Sequence, residues 1–262
     1  MNGKDIKEMV KQRYNDLALQ GKENEGGCRC KKSKVYTIMS DSYKGMAGYN
    51  PDADMGLGCG LPTEFAQIKP GNTVIDLGSG AGNDCFVARE VAGETGRVIG
   101  IDFSPGMIEK ATSNARNRGF DNVEFIQGDI EDMPVPGNTA DVIVSNCVLN
   151  LVPNKTAVFS EIYRVLKPGG HFSISDIVIT GNLPAKIKSA AEMYAGCVAS
   201  AIDKDEYLDY ITRSGFKNVT IQKEKPIIVP DDILKQYLNK EEINEYKLTP
   251  TVIFSITVYA EK

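Results

Sequence analysis

Few side chains in this 262-residue sequence are equipped for unusual chemistry. It has six cysteines, Cys28, Cys30, Cys59, Cys85, Cys147 and Cys197, one histidine, His171, and no tryptophan. Thiolates are the soft ligands that proteins offer, whereas a single imidazole restricts both acid–base and metal chemistry. Zinc-type C-x2-C spacing is absent, and only Cys28-Arg29-Cys30 is close-set. Cys85, beside Phe86 and Val87, is expected to pack as a small buried hydrophobe. Cys59 stands between glycines in Met55-Gly-Leu-Gly-Cys-Gly60, Cys147 follows a candidate strand, and Cys197 lies in Tyr194-Ala-Gly-Cys-Val-Ala199. Spacing alone leaves open whether these last three meet or merely pack.

A second constellation is Val74-Ile-Asp-Leu-Gly-Ser-Gly-Ala-Gly82, in which a strand runs into a glycine loop that opens a helix. Gly78, Gly80 and Gly82 permit a tight turn and close backbone approach to a ligand. The spacing differs from the G-x-G-x-x-G of pyrophosphate-binding loops, and Asp76 stands just ahead of it. A carboxylate there repels pyrophosphate and suits a cation such as the sulfonium or ammonium of S-adenosylmethionine. Asp102 ends the next strand, where an acid can accept bonds from a ribose diol.

The elements that must position these groups alternate. Strands are predicted at Thr73–Leu77, Arg97–Asp102, Val123–Gln127, Ala140–Ser145, Phe172–Ile179, Val219–Gln222 and Val252–Tyr259. Helices are predicted at Asp5–Gln20, stopped by Gly21, then around Phe86–Val91, from the Ser104 cap and Pro105 to about Arg118, and at Lys155–Leu166, Lys204–Ser214 and Ile233–Leu238. Residues 21–60 read as irregular chain, and Leu183–Ser200 as a helical insertion able to fold as a lid over the carboxyl rim of the sheet. Cys147 is expected at that rim, where open α/β sheets bind ligands. The pattern is α/β, a Rossmann-like parallel sheet with helices on both faces. The expected organisation is an extension over residues 1–60 and a domain over 61–262, with residues 181–203 as the insertion.

Hydrophobic residues make up 42% of the chain and charged residues 25%, enough for a sizeable core. The net charge of −5 argues against non-specific nucleic-acid binding. MNGKDIKEMV mixes charges and no apolar run follows, so neither a leader nor a membrane span is expected, and the cytoplasm is the expected compartment. In that compartment the thiols should be mostly reduced.

D-L-G-S-G-A-G, Gly100-Ile-Asp102, Gly128-Asp129-Ile130, Ser145-Asn146 and Arg164-Val-Leu-Lys-Pro-Gly-Gly170 resemble class I S-adenosylmethionine-dependent methyltransferases. G-L-G-C-G (56–60), S-N-C-V-L-N-L (145–151) and Y-A-G-C-V-A (194–199) are similar to the cysteine motifs of arsenite methyltransferases. The resemblance implies a seven-stranded sheet whose last strand runs antiparallel between its neighbours. It implies that Asp76, Gly78, Ser79, Gly80 and Gly82 hold the methionine part of the cofactor and that Asp102, Phe103 and Met107 lie on its ribose side. Gly128, Asp129 and Ile130 would flank the adenine, and Asn146, at the mouth of the fourth strand, would also contact the cofactor. It further implies trivalent arsenic, delivered with its thiol conjugates, on Cys59, Cys147 and Cys197, with Cys28 and Cys30 as a capture pair. That last match is looser, because Arg29 separates the pair. An external thiol reductant of glutathione or thioredoxin type and a monomer are expected. The family often carries a further carboxyl-terminal domain, and this chain is expected to end without one. Lone-pair attack by arsenic needs no general base, so His171 is expected to be structural. The alternatives are a methyltransferase of a quinone- or sterol-like acceptor and a non-enzymatic thiol-based metalloid binder. A nicotinamide-dependent oxidoreductase is disfavoured by the glycine spacing.

Overall fold

Aliphatic runs of five to seven residues form the centre of the sheet because both of its faces are covered. The computed structural model describes residues 3–23, 41–183, 186, 201–235 and 238–262. Its strands are β1 Thr73–Leu77, β2 Arg97–Asp102, β3 Val123–Gln127, β4 Ala140–Asn146, β5 Leu166–Thr180, β6 Lys217–Ile227 and β7 Val252–Glu261. They form one seven-stranded sheet in the order β3-β2-β1-β4-β5-β7-β6. The pairs among β1 to β5 are parallel, and β7 runs antiparallel to both β5 and β6, so the seven-strand expectation holds.

Successive side chains point to opposite faces of a strand. Ile75, Leu77, Ile99, Ile101 and Ile143 therefore join one core with Phe159, Phe172 and Tyr207. Val74, Val98, Val142 and Val144 join the other with Phe86, Ala88 and Ala92. The helices are α1 Gly3–Glu23, α2 Pro62–Phe65, α3 Asn83–Ala92, α4 Pro105–Asn117, α5 Lys155–Val165, α6 Lys204–Arg213, α7 Asp231–Leu234 and α8 Lys240–Leu248, with a 3-10 turn at Leu149–Leu151. The predicted Ser104 cap is present, its side chain accepting from the Met107 amide, with Pro105 in the first turn. No described helix is long and apolar enough to cross a membrane.

Some elements differ from expectation. The helix α1 runs through Gly21 to Glu23, since a lone glycine costs a helix only about 1 kcal/mol. The strand β6 has eleven residues rather than four, because its charged outer positions disguise an edge strand. The helix α7 starts two residues before the predicted Ile233. No helix is predicted over α8, yet it carries a capping box between Asn239 and Glu242. Most of the Leu183–Ser200 insertion, Cys197 included, and the Cys28/Cys30 pair fall on residues outside those described.

Strand order reverses between β1 and β4, and the crevice at the carboxyl ends of those two strands is where such sheets bind ligands.

Candidate active site

The turn after β1 is fastened to the end of β2. The Gly78 and Ser79 amides both donate to the Ile101 carbonyl, at 2.7 and 3.1 Å. The Gly80 amide donates to Asp102 Oδ2 at 2.9 Å, and the Ser104 amide to Asp102 Oδ1 at 2.9 Å. Gly78 has φ 68° and lies so close to Val148 that a Cβ would sit 2.3 Å from its methyl carbon. A Cβ on Gly80 would meet nothing, so only its φ of 52° calls for glycine and its outer side is open to the crevice.

Three carboxylates surround this turn, Asp76 and Asp102 buried and Asp84 half-buried. Asp76 is 2% exposed, and Cys85 Sγ donates to its Oδ2 at 3.3 Å. Burial, with Asp84 next to it, holds Asp76 well above the usual carboxylate range. Burial pushes Asp84 up to about 6 against the bonds it accepts from Tyr43, Asn146 and Thr63. Asp102 is also raised by burial and held down by the amides of Ser104, Gly80 and Phe103. Such a cluster suits a ligand that brings positive charge and hydroxyl donors. Ser79 Oγ is buried and has no hydrogen-bond partner among the described residues. This donor and acceptor set fits S-adenosylmethionine.

On the other side of the crevice, Asn146 lies opposite Ser175 in the β4–β5 register, which brings Cys147 alongside Asp176. Cys147 has φ 62°, and its amide donates to the Ser175 carbonyl at 2.8 Å. The segment carrying Cys59 closes over this point. Its amide donates to Asn146 Oδ1 at 2.9 Å, and its carbonyl accepts from Ser255 Oγ at 2.6 Å. Ligand atoms of Cys59, Cys147 and Asp176 consequently lie within 4.8 Å of one another, all buried. Asp176 accepts from the Asn150 side chain at 2.7 Å and from the amides of Ile177 and Asn150 at 2.9 and 3.1 Å. Burial pushes it up to about 7 despite those bonds.

A cleft of about 1110 Å³ joins the two sides. Asp76, Gly78, Ser79, Gly80, Asp102, Phe103, Met107, Gly128, Asp129, Ile130, Asn146 and Cys147 all line it. Gly82 does not; it opens α3, and a Cβ there would press on Phe125 and Phe86 at 2.8 and 2.9 Å. Cys59 is fully buried just behind the wall to which Gly58 belongs. Cys85 lies beneath Asp76. His171, on β5, pairs with Val142 of β4, bonds through Nε2 to the Ala66 carbonyl at 2.7 Å, and lies outside the cleft lining.

No motif in the sequence singled out Tyr43, Asp84, Asp176 or the place of the predicted helix α1. That helix lays Lys7, Val10 and Tyr14 along the cleft. A charge in the middle of the apolar run Ser173-Ile-Ser-Asp-Ile-Val178 was the available signal for Asp176.

Residues 68–220 match the family described as a methyltransferase domain. An arsenite methyltransferase of Halobacterium salinarum is 36% identical over 260 residues, 95% of this chain and 66% of that protein. The human arsenite methyltransferase is 39% identical over 168 residues, 61% of this chain and 44% of that one. The chain thus spans 66% or less of the length of these curated relatives. The crystal structure of an arsenic (III) S-adenosylmethionine methyltransferase from Chlamydomonas reinhardtii superposes with a TM-score of 0.66 at 31% identity, covering 87% of this chain and 73% of that one. With the sheet order, the acid-flanked glycine turn and these likenesses together, the chain belongs to the methyltransferase-domain family and, within it, to the arsenite methyltransferase group.

Proposed function

We propose that the chain transfers a methyl group from S-adenosylmethionine to trivalent arsenic held by the thiolates of Cys59, Cys147 and Cys197. The observation that carries this reading is the meeting of Cys59 and Cys147, from distant segments, beside the acid-lined cleft. When bound, the cofactor supplies an electrophilic methyl group on a sulfonium. The turn from Gly78 to Gly80 and the carboxylates of Asp76 and Asp84 hold its cationic end, Asp102 its ribose hydroxyls, and Asp129 and Ile130 its adenine. Gly82 shapes the turn from beneath.

Cys59 and Cys147 give up their protons on binding arsenic and remain its ligands, which leaves the arsenic lone pair as nucleophile. No side chain then has to remove a proton from the nucleophile, and the position of His171 outside the cleft agrees with that. Exposure of 0% and 3% at the two thiols keeps water from the bound substrate. The chain's part in the reaction is chiefly to hold two reactants in line. Cys28 and Cys30 capture arsenic from thiol conjugates, and a glutathione- or thioredoxin-type system returns methylated arsenic to the trivalent state. The protein works as a cytoplasmic monomer.

The test is incubation with arsenite, S-adenosylmethionine and a reducing thiol, followed by separation of arsenic species. Methylated arsenic is expected from the wild type, and none from Cys59→Ser, Cys147→Ser or Cys197→Ser, each still binding cofactor. Absence of product from the wild type, or unchanged turnover in any of the three, overturns the reading.

A further inference from the structure

The side chain of Asn146 spends its hydrogen bonds on the thiol-bearing segment and on the wall behind it. Its Oδ1 accepts from the amides of Cys59 and Gly60, at 2.9 and 3.3 Å. Its Nδ2 donates to the Gly60 carbonyl at 2.9 Å, with Tyr43 Oη at 2.6 Å and Asp84 Oδ2 at 3.3 Å also in reach. A primary amide is suited to this place. It offers an acceptor to the two amides and donors to a carbonyl from one planar group. A carboxylate would lose the donors and add a charge beside Asp84; an aliphatic side chain would strand the amides of Cys59 and Gly60.

The fit leaves no slack. A Cβ on Gly58 would lie 2.6 Å from Asn146 Nδ2, 3.0 Å from its Cγ and 3.1 Å from its Oδ1. The segment therefore rests directly on the amide. The next residue in the chain is Cys147, whose own amide is tied to Ser175 at 2.8 Å. One dipeptide at the end of β4 thus presents one thiol and grips the backbone of the other. From the far side, Ser255 Oγ holds the Cys59 carbonyl at 2.6 Å, so the segment keeps one anchor if the Asn146 grip is removed.

We propose that Asn146 is a positioning residue for arsenic, setting Cys59 at ligand distance from Cys147, rather than a ligand of the cofactor. This rests on the reading that those two thiols hold arsenic. It makes the geometry of the soft site depend on a residue that bears no thiol, and it gives Gly58 a reason to be glycine.

The test measures arsenite and S-adenosylmethionine affinities separately, by calorimetry, for the wild type, Asn146→Ala, Gly58→Ala and the double variant. Stranding two amides is expected to weaken arsenite binding about tenfold or more, and to weaken cofactor binding less, through the one donor that Asp84 loses. Gly58→Ala is expected to weaken arsenite binding similarly by pushing the segment off the amide. The double variant, in which the shortened side chain at position 146 makes room, is expected to be no worse than Asn146→Ala alone. Arsenite affinity unchanged in Asn146→Ala, equal losses for both ligands, or additive losses in the double variant would each overturn the proposal. Should the wild type bind no arsenite, the substrate reading falls. Crystal structures of the wild type and Asn146→Ala then decide the positioning role, since a Cys59 displaced from Cys147 supports it and an unmoved Cys59 refutes it.

Discussion

The hydroxyl of Tyr43 reaches both carboxylate oxygens of Asp84, at 2.8 and 2.7 Å, from a segment that precedes the sheet. Burial and the neighbouring Asp84 raise the Tyr43 phenol well above its usual range, so it stays protonated and donates. Tyr43→Phe would leave Asp84 with one fewer donor and Asn146 Nδ2 with one fewer acceptor. We expect it to weaken S-adenosylmethionine binding about fivefold to tenfold while leaving the fold intact, as read by calorimetry and thermal melting. Cofactor affinity equal to the wild type would remove Tyr43 from the binding machinery.

Asp84 itself gives the cofactor step a pH dependence. Its carboxyl is pushed up to about 6 by burial, and a cation bound beside it favours the ionised form. Binding of S-adenosylmethionine is therefore expected to tighten as pH rises through about 6 and to release a proton near that pH. Titrations in buffers of different ionisation enthalpy would detect the proton. Asp84→Asn should flatten the profile; the same slope in that variant would assign the titration to another group.

Much of this site could be read from the sequence because its signals are local. Val74, Ile75 and Leu77 put apolar side chains on both faces because β1 is central, and Gly78 and Gly80 take positive φ in the turn that follows. Cys59 and Cys147 each carried a distinctive surrounding motif. Nothing local says that Tyr43 meets Asp84, or that the amide of Asn146 meets Cys59, because those contacts exist only after the sheet has formed. The same holds for α1, whose amphipathic pattern gives a helix without a destination. The strand β6 was under-read for the opposite reason: Lys223 and Lys225 look like loop residues until both are seen to reach Asp41, at 3.0 and 2.9 Å.

That destination of α1 leads to a third expectation. Lys7 donates to Asp129 Oδ2 at 2.6 Å and also pairs with Glu131, while Asn15 Oδ1 accepts from Ser104 Oγ at 2.7 Å and from the Gly106 amide at 3.2 Å. The helix is thus strapped across the cleft at two points. The Lys7 pairs are partly exposed, and such ion pairs are worth about 1 kcal/mol or less. The Asn15 bonds satisfy a buried serine and the first turn of α4. Asn15→Ala is therefore expected to raise hydrogen exchange in α1 and weaken cofactor binding more than Lys7→Ala does. Only the Lys7 contribution should fade at high salt. Equal exchange in both variants and the wild type would show that the strap does not hold.

Asp176 supplies the fourth, and here the sign decides the direction. In the unfolded chain its pKa returns to an ordinary 3.8, whereas burial in the fold raises it to about 7. Between those values the native state holds more protons than the unfolded one, so stability falls as pH rises. This contribution is fully present below about 4 and is lost as pH passes through about 7. Asp84 adds a loss of the same sign that ends near 6, so the stretch from about 6 to about 7 holds the Asp176 loss together with that of Asp76, which burial also holds well above the usual carboxylate range. Asp176→Asn should reduce the slope of the urea midpoints over that stretch. It should also lower them throughout, because its amide nitrogen would face donors from Asn150, Ile177 or Tyr207 where the carboxylate accepted. A variant that keeps the wild-type slope above about pH 6 would show that Asp176 is ionised in the native state throughout, and that the cost of burying its charge is already met by those donors and Lys155.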